Sequence, residues 1–455
     1  MAHRPNPSRR VFLQTAGTVA ATAAATAWVR PAWAGAAGAN EKAVMGIIGP
    51  GGQGSNLLGS FVELPGVEFA WVCDVDERRT RAAADHVKKS SGKAPKQTRD
   101  LREVLGDKSV DAVIVATPDH WHAPATILAC DAGKHVYVEK PASHNLREGR
   151  LMVEAARRHR RVVQVGTQSR SVPHVIEAMQ LIRDGAIGDV LVSKAWNSQK
   201  RGDIGRRKPE PPPAYLDYDA WVGPAPMVPY QSNLLPSSWR WWHNFGCGDI
   251  GNDGVHDIDL ARWGLGVDTH PTTVAAIGGK YFFDDDQQFP DTQYIVYQYE
   301  NAGLGKSKAK QLVYEQRLWS PYVQEGAENG NAFYGTKGVL ILSKKNGWKL
   351  YEAGDNEQSA KPKKTREAQF DSVPHHRNFL ECIRTSTEST RANADIEIGH
   401  LSSSLAHLGN IATRVSRTIR FDPKAEKVIG DDEANKLVSR QYRQGHWAVP
   451  KGAVG

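Results

Sequence analysis

Short apolar runs separated by helix-length stretches fill the first third of the chain, starting at 43–48 and returning at 67–73, 111–115, 136–138 and 162–165. Runs without alternation mark strands buried on both faces, so they predict a parallel sheet covered by helices, two of them read at 55–63 and up to residue 132. Past residue 168 the texture changes. Strand-like runs recur at 190–196, 273–283, 292–300, 311–318 and 339–342, and Tyr294-Ile295-Val296-Tyr297-Gln298-Tyr299 alternates with period two. That alternation predicts strands with one buried face, hence an open, mainly antiparallel sheet. A helix over 395–417 carries Leu401, Leu405, Leu408, Ile411 and Val415 as a core-facing stripe.

The turns after the early runs carry chemistry. Gly49-Pro50-Gly51-Gly52-Gln53-Gly54 fits G-x-G-x-x-G, in which one glycine allows a tight turn, one admits a pyrophosphate and one lets the next helix pack closely. The second run ends in Asp74, about 20 residues further on, where a carboxylate binds the adenosine ribose hydroxyls. A carboxylate there favours NAD, while Arg78 and Arg79 leave NADP open. The third run ends in Thr117-Pro118-Asp119-His120-Trp121-His122, at the sheet edge where open α/β folds bind ligands. His120, Trp121 and His122 are therefore candidates for the nicotinamide pocket, with helix capping as the other reading of His122. The fourth run closes in Glu139-Lys140-Pro141, and a lysine beside a positively charged nicotinamide suits acid/base work.

These motifs, together with Gly248-Asp249-Ile250-Gly251-Asn252-Asp253-Gly254-Val255-His256-Asp257-Ile258-Asp259, resemble the Gfo/Idh/MocA oxidoreductases from about residue 42 to near residue 455. The resemblance implies an α/β protein: a doubly wound Rossmann domain over 42–168 and an α+β substrate and oligomerisation domain over 169–455. It implies Lys140 touching substrate and cofactor, and His256 helping to deprotonate a substrate hydroxyl. Dehydrogenases of the family often carry aspartate four residues before that histidine; this chain has Asn252, followed by Asp253. Asn252 hydrogen-bonds without charge, and with Asp253 it also reads as a helix cap. The run resembles the exported subgroup.

Ser8-Arg9-Arg10-Val11-Phe12-Leu13-Gln14, an Ala/Thr-rich stretch and Ala32-Trp33-Ala34 read as a twin-arginine signal over 1–34, with an uncleaved anchor as the alternative. Export of a folded protein to a space without free NAD implies a tightly bound cofactor, re-oxidised in place. Arg4, Arg9, Arg10 and Arg30 lie in this segment, so a formal charge of +8 falls to +4 on cleavage, too mild to argue for nucleic acid. Lys200, Arg201, Arg206, Arg207 and Lys208 read as a solvated loop. Cys73, Cys130, Cys247 and Cys382 form neither a zinc pattern nor a disulfide framework, and no metal is expected.

Trp239-Arg240-Trp241-Trp242-His243-Asn244-Phe245 suits a sugar, since aromatic faces stack on its C–H surface while Arg240 and His243 read hydroxyls, although some of the tryptophans also read as interface core. Gln168 and Tyr334 are weaker substrate candidates, and Trp121 joins them. Three functions follow: an oxidoreductase acting on a sugar, glycoside or polyol; a glycosidase or lyase that oxidises its substrate transiently; or a non-catalytic sugar-binding protein. A homo-oligomer is expected.

Overall fold

The computed structural model describes residues 42–300, 302, 308–352, 361–387 and 389–453, so the twin-arginine stretch lies outside the described residues. A six-stranded parallel sheet is built from β1 (Ala43–Ile48), β2 (Val67–Cys73), β3 (Lys96–Thr98), β4 (Ala112–Val115), β5 (His135–Val138) and β6 (Val163–Val165). Its order is β3-β2-β1-β4-β5-β6, the doubly wound Rossmann arrangement. Helices α1 (Gly52–Val62), α2 (Glu77–Ser91), α3 (Leu101–Gly106), α4 (Asp119–Asp131) and α5 (Leu146–Arg158) connect the strands. Because successive side chains point to opposite faces, Met45 and Ile47 enter one core with Phe61, while Ile48, Val113 and Val115 enter the other with Trp121 and Met152.

The chain then passes through α6 (Pro173–Arg183) into a ten-stranded sheet. Its strands are β7 (Val190–Asn197), β8 (Thr273–Gly279), β9 (Thr292–Glu300), β10 (Ala309–Arg317), β11 (Asn329–Gly335), β12 (Gly338–Ser343), β13 (Gly347–Glu352), β14 (Lys364–Glu367), β15 (Ile419–Asp422) and β16 (Lys427–Val428). The order is β14-β13-β12-β11-β7-β10-β9-β8-β15-β16, and β7 runs parallel to β10 within an otherwise antiparallel ladder. One face packs Ile295, Tyr297, Leu312, Tyr314 and Phe333 against α8 (Val255–Leu265) and α10 (Ile396–Val415). The other face leaves Ile277 76% and Tyr294 45% exposed.

Three further helices complete the fold: α7 (Tyr218–Val222), α9 (Val373–Arg384) and α11 (Asp432–Lys436). Helix α9 returns to the first sheet and adds Phe379 and Leu380 to the core around Phe61. Helix α10 is buried far beyond its leucine stripe, including His400, Ser402, Ser403, Ser404 and His407, because it is wedged between α5 and β6 on one side and α8 and β8 on the other. Arg170, after β6, donates to Asp259 of α8 through Nε at 2.7 Å and Nη2 at 2.9 Å in a fully buried pair. Among the described residues no helix is long and apolar enough to cross a membrane.

Candidate active site

The turn after β1 is shaped by contacts that leave no room for side chains. Gly49 has φ +85°, and a Cβ on Gly54 would stand 2.1 Å from the Gly49 carbonyl oxygen. The cap of α1 is Gly51, which supplies no side-chain acceptor, so the first-turn N–H groups are left for an anion. The Arg79 guanidinium lies against Gly51, whereas Arg78 is tied to Asp76 at 2.8 Å and rests over the Tyr215 ring at 3.3 Å. Asp74 closes β2 and accepts from the Asp76 N–H at 2.9 Å; burial pushes its carboxyl up to about 6, opposed by Arg79.

From these groups a cleft of about 600 Å³ runs past Gly52, Gln53, Thr117, Pro118 and His122 to Glu139 and Lys140. Free helix-terminal donors, a cationic guanidinium and a carboxylate at the end of β2 are the set a dinucleotide requires, and the cleft is large enough to hold one.

At its far end the two domains meet. The Lys140 Nζ donates to the Asn252 backbone oxygen at 2.6 Å and lies 3.4 Å from its Oδ1. Asn252 sits in a π-turn, Ile250–Gly254, that feeds α8; wide turns of this kind recur at functional sites. Its amide donates at 2.9 Å to Asp249, whose other oxygen accepts from Asn197 of β7 at 2.8 Å. Arg201 bridges Asp249, at 3.0 Å, and Asp253. Burial alone raises the Asp253 carboxyl, but Lys344, Lys140 and Arg201 outweigh it and hold the group well below the usual range.

His256 lies in the first turn of α8, four residues past Asn252, and among the described residues no hydrogen bond holds its ring. Burial, then the Lys344 and Lys140 cations, keep that ring well below its ordinary pKa and therefore neutral at pH 7, with Asp253 opposing. Lys344 is itself paired with Asp257 at 2.5 Å. Glu139 accepts from Gln53 at 3.4 Å and from Gln168 at 3.2 Å, and burial raises its carboxyl. Asp119, at the start of α4 and lining the cleft, is pushed up to about 7 by burial, with Lys140, Cys247 and Arg240 pulling it back.

Several expected positions lie elsewhere. His120 is fully buried beside the cleft, its Nε2 2.9 Å from the Trp221 carbonyl and its ring against Trp221 and Phe245. His122 lines the cleft, but its ring nitrogens face the Pro141 and Thr117 carbonyls at 2.7 and 2.9 Å, so it braces the turn. Gln168 is buried against Tyr137 and Glu139 and supports the latter. Trp241 belongs to a core with Phe283 and Leu318, and Trp242 packs beside it, because apolar aromatic surface is as useful to a core as to a sugar. Tyr334 stands 42% exposed on β11, outside both clefts, and His243 lines a second cavity rather than the first. Arg201 is no solvated loop residue: its partners draw it into the site.

Trp121 and Arg240 do line the first cleft, and the Arg240 Nε has no partner among the described residues. Sequence reasoning missed Asp119 and Asp249, each hidden inside a motif read for its neighbours. Trp239 lines the wall as well, and sequence reasoning missed the residues that complete it, Trp221, His446 and Trp447. The last two arrive from a distant segment, with Trp447 under the Arg102 guanidinium at 4.6 Å. His270, His400 and Glu426 form a metal-like cluster, yet Arg150 donates to the same Glu426 oxygen at 2.7 Å, so hydrogen bonding accounts for it.

Residues 44–167 match the Gfo/Idh/MocA oxidoreductase family, NAD-binding Rossmann fold, and residues 187–303 and 345–449 match that family's C-terminal alpha/beta domain. The oxidoreductase YrbE of Bacillus subtilis is 27% identical over 283 residues, covering 61% of this chain and 71% of YrbE. A glycosyl hydrolase family 109 protein of Saccharopolyspora erythraea is 34% identical over 158 residues, only 34% of each chain. The fold is shared with the aldose-aldose oxidoreductase of Caulobacter crescentus complexed with glycerol, at TM-score 0.63 and 18% identity over 84% of this chain and 100% of that one. With the glycine turn, Asp74 and Lys140 converging on one cleft, the chain belongs to the Gfo/Idh/MocA family of oxidoreductases and carries its NAD-binding Rossmann domain.

Proposed function

We propose that this enzyme oxidises a hydroxyl-bearing carbon of a sugar, glycoside or polyol, using an NAD that stays bound and is restored in the same site. The observation that carries the reading is the Lys140–Asn252 contact, which joins the end of β5 to the turn feeding α8, the helix that bears a neutral His256. NAD, when bound, accepts the hydride from the carbinol carbon and gives it back. His256, uncharged and unheld, takes the hydroxyl proton, and Lys140 positions the hydroxyl oxygen through its ammonium donors. The first-turn amides of α1, Arg79 and Asp74 hold the dinucleotide, aided by Gln53, Thr117, Pro118 and Glu139. Trp239 and Trp121 offer ring faces to the substrate, and the unpartnered Arg240 Nε reads an oxygen. Asn252 and Asp253 position these groups through Asp249 and Arg201. NADP is the alternative cofactor, with Arg79 available to a 2′-phosphate.

The twin-arginine motif supports export in the folded state, with an uncleaved anchor as the alternative, and an exported enzyme must carry its cofactor. The exposed sheet face around Ile277 and Tyr294 supports a homo-oligomer. The match to a family 109 glycosyl hydrolase favours a second reading on the same groups, in which transient oxidation acidifies the adjacent carbon, the aglycone leaves, water adds and the hydride returns.

Mass spectrometry of products, from protein as purified and given glycosides and free sugars without added NAD, separates the two. Substrate lighter by two hydrogens, formed continuously only when an acceptor sugar is present, is the expected result. Catalytic aglycone release with an unoxidised sugar establishes the second reading, and protein purified without nucleotide that binds NAD weakly refutes the closed cycle.

A further inference from the structure

On the other side of the Gly246-Cys247 turn lies a second cleft of about 540 Å³ that takes no part in the chemistry above. Its lining contains Lys280, Arg414, Lys436 and Arg440 and no aspartate or glutamate. Lys280 and Arg440 have acidic partners, Asp285 and Glu148. Arg414 and Lys436 are exposed at the rim, and among the described residues neither has an acidic partner. Charge of one sign gathered around a concavity attracts a ligand of the other sign.

The deeper lining is more specific. Asn145, 4% exposed, uses its Oδ1 to cap α5 by accepting from the Glu148 N–H at 3.0 Å, and its Nδ2 is left unpartnered. Arg440, its side chain 8% exposed, donates through Nε and Nη2 to Glu148 and through Nη2 to the His120 carbonyl, leaving Nη1 free. Three residues of the same lining carry unpartnered acceptors. The Asn410 amide is spent on the Cys247 carbonyl at 2.8 Å, so its Oδ1 is open. His144 holds the His243 carbonyl at 3.0 Å through Nε2, which makes its free Nδ1 a lone-pair site in the neutral ring that burial enforces. His407, 5% exposed, is bonded to the Ser143 backbone and likewise leaves Nε2 without a partner. Buried polar atoms left open in this way ask for a ligand that supplies their bonds.

A bare oxyanion satisfies the donors and the rim but repels the acceptors. A neutral sugar satisfies donors and acceptors but leaves the rim cations uncompensated. We infer that this second cleft binds a polyhydroxylated anion, its carboxylate or phosphate head at Arg414, Lys436 and Arg440 and its hydroxyls donating to Asn410, His144 and His407. Aldonate-type acids and sugar phosphates share this chemistry. The inference stands on the second cleft alone, whichever reading of the first is correct.

Calorimetric titration of the holoenzyme with D-gluconate, D-glucose 6-phosphate, D-glucose and inorganic phosphate tests it. One of the two anionic sugars should bind at least about tenfold more tightly than glucose or phosphate, and which one does so identifies the head group. The R414Q/K436Q variant should lose about tenfold in that affinity with unchanged melting temperature and NAD content, and Asn410→Ala, within the cleft, should weaken it again. Lys140→Ala should leave it intact, which separates this cleft from the first. Equal binding of glucose or phosphate, indifference to R414Q/K436Q, or loss of binding in Lys140→Ala overturns the assignment.

Discussion

Replacing Asn252 by aspartate would restore the residue usual for the family, yet the structure says it would harm this protein. The Asn252 amide donates at 2.9 Å to Asp249, a carboxylate already pinned by Asn197 and Arg201. In N252D that donor becomes a second carboxylate oxygen at about the same separation. At an effective dielectric of about 20, two charges 2.9 Å apart repel by about 6 kcal/mol, while attraction to the Lys140 ammonium, 3.4 Å from Oδ1, returns about 5 kcal/mol. What remains is chiefly the lost hydrogen bond to a charged acceptor, about 1.5–3 kcal/mol. The new acid therefore binds a proton more tightly folded than unfolded. Its stabilising protonated form, which donates to Asp249 as the amide did, is present at low pH and is lost as pH rises through the raised folded pKa. Thermal unfolding of Asn252→Asp and the parent protein should give nearly equal melting temperatures at pH 5 and a gap of several degrees at pH 8. A gap independent of pH, or a variant more stable at pH 8, refutes the argument that Asp249 already supplies the charge that Asn252 lacks.

Lys140→Ala should abolish turnover while bound nucleotide, read from the absorbance of released NAD, stays near one per chain; unaffected turnover sinks the site assignment. With Asp74 raised to about 6, only about a tenth of the free protein carries this carboxylate at pH 5, so NAD affinity measured by calorimetry should fall about tenfold between pH 7.5 and pH 5, and Asp74→Asn should flatten the dependence. The same shift makes the Asp74 contribution to stability greatest at low pH and lost as pH rises through about 6, so stability and cofactor affinity move in opposite directions. Arg170→Met leaves Asp259 buried without its charge partner and should cost about 3–5 kcal/mol in denaturant unfolding, whereas a loss under 1 kcal/mol shows that the buried pair does not hold α8 in place.

The nucleotide-binding half was legible because its signals are local: uninterrupted apolar strands and glycines that no other residue can replace. Its edge strand β3, Lys96-Gln97-Thr98, escaped notice because a short edge strand needs no apolar run. In the second domain the alternating strands were readable, but the parallel pairing of β7 with β10 depends on contacts between distant segments. Helix α9 carries no mark in its own sequence of the sheet it covers. Around the site, Lys140, Asn252 and Asp74, each named from motif spacing or a strand end, come to line one cleft. Sequence did not separate Trp239 and Trp221, which face the cleft, from Trp241, which is core, because identical rings serve both purposes. Arg201 was misread for a related reason: a cluster of cations does not disclose which of them finds buried carboxylates.

The wall contributed by His446 and Trp447 also bears on the order of assembly. The Arg440 contact that anchors this segment to His120 spans 320 residues of chain. Local βαβ units can form the six-stranded sheet first, but the entropy of closing so long a loop delays the wall until both domains have docked. An isolated fragment of residues 42–168 would present the glycine turn and Asp74 on an open groove. During refolding, capture of the dinucleotide should therefore lag behind recovery of secondary structure, with enclosure of the cofactor among the final steps.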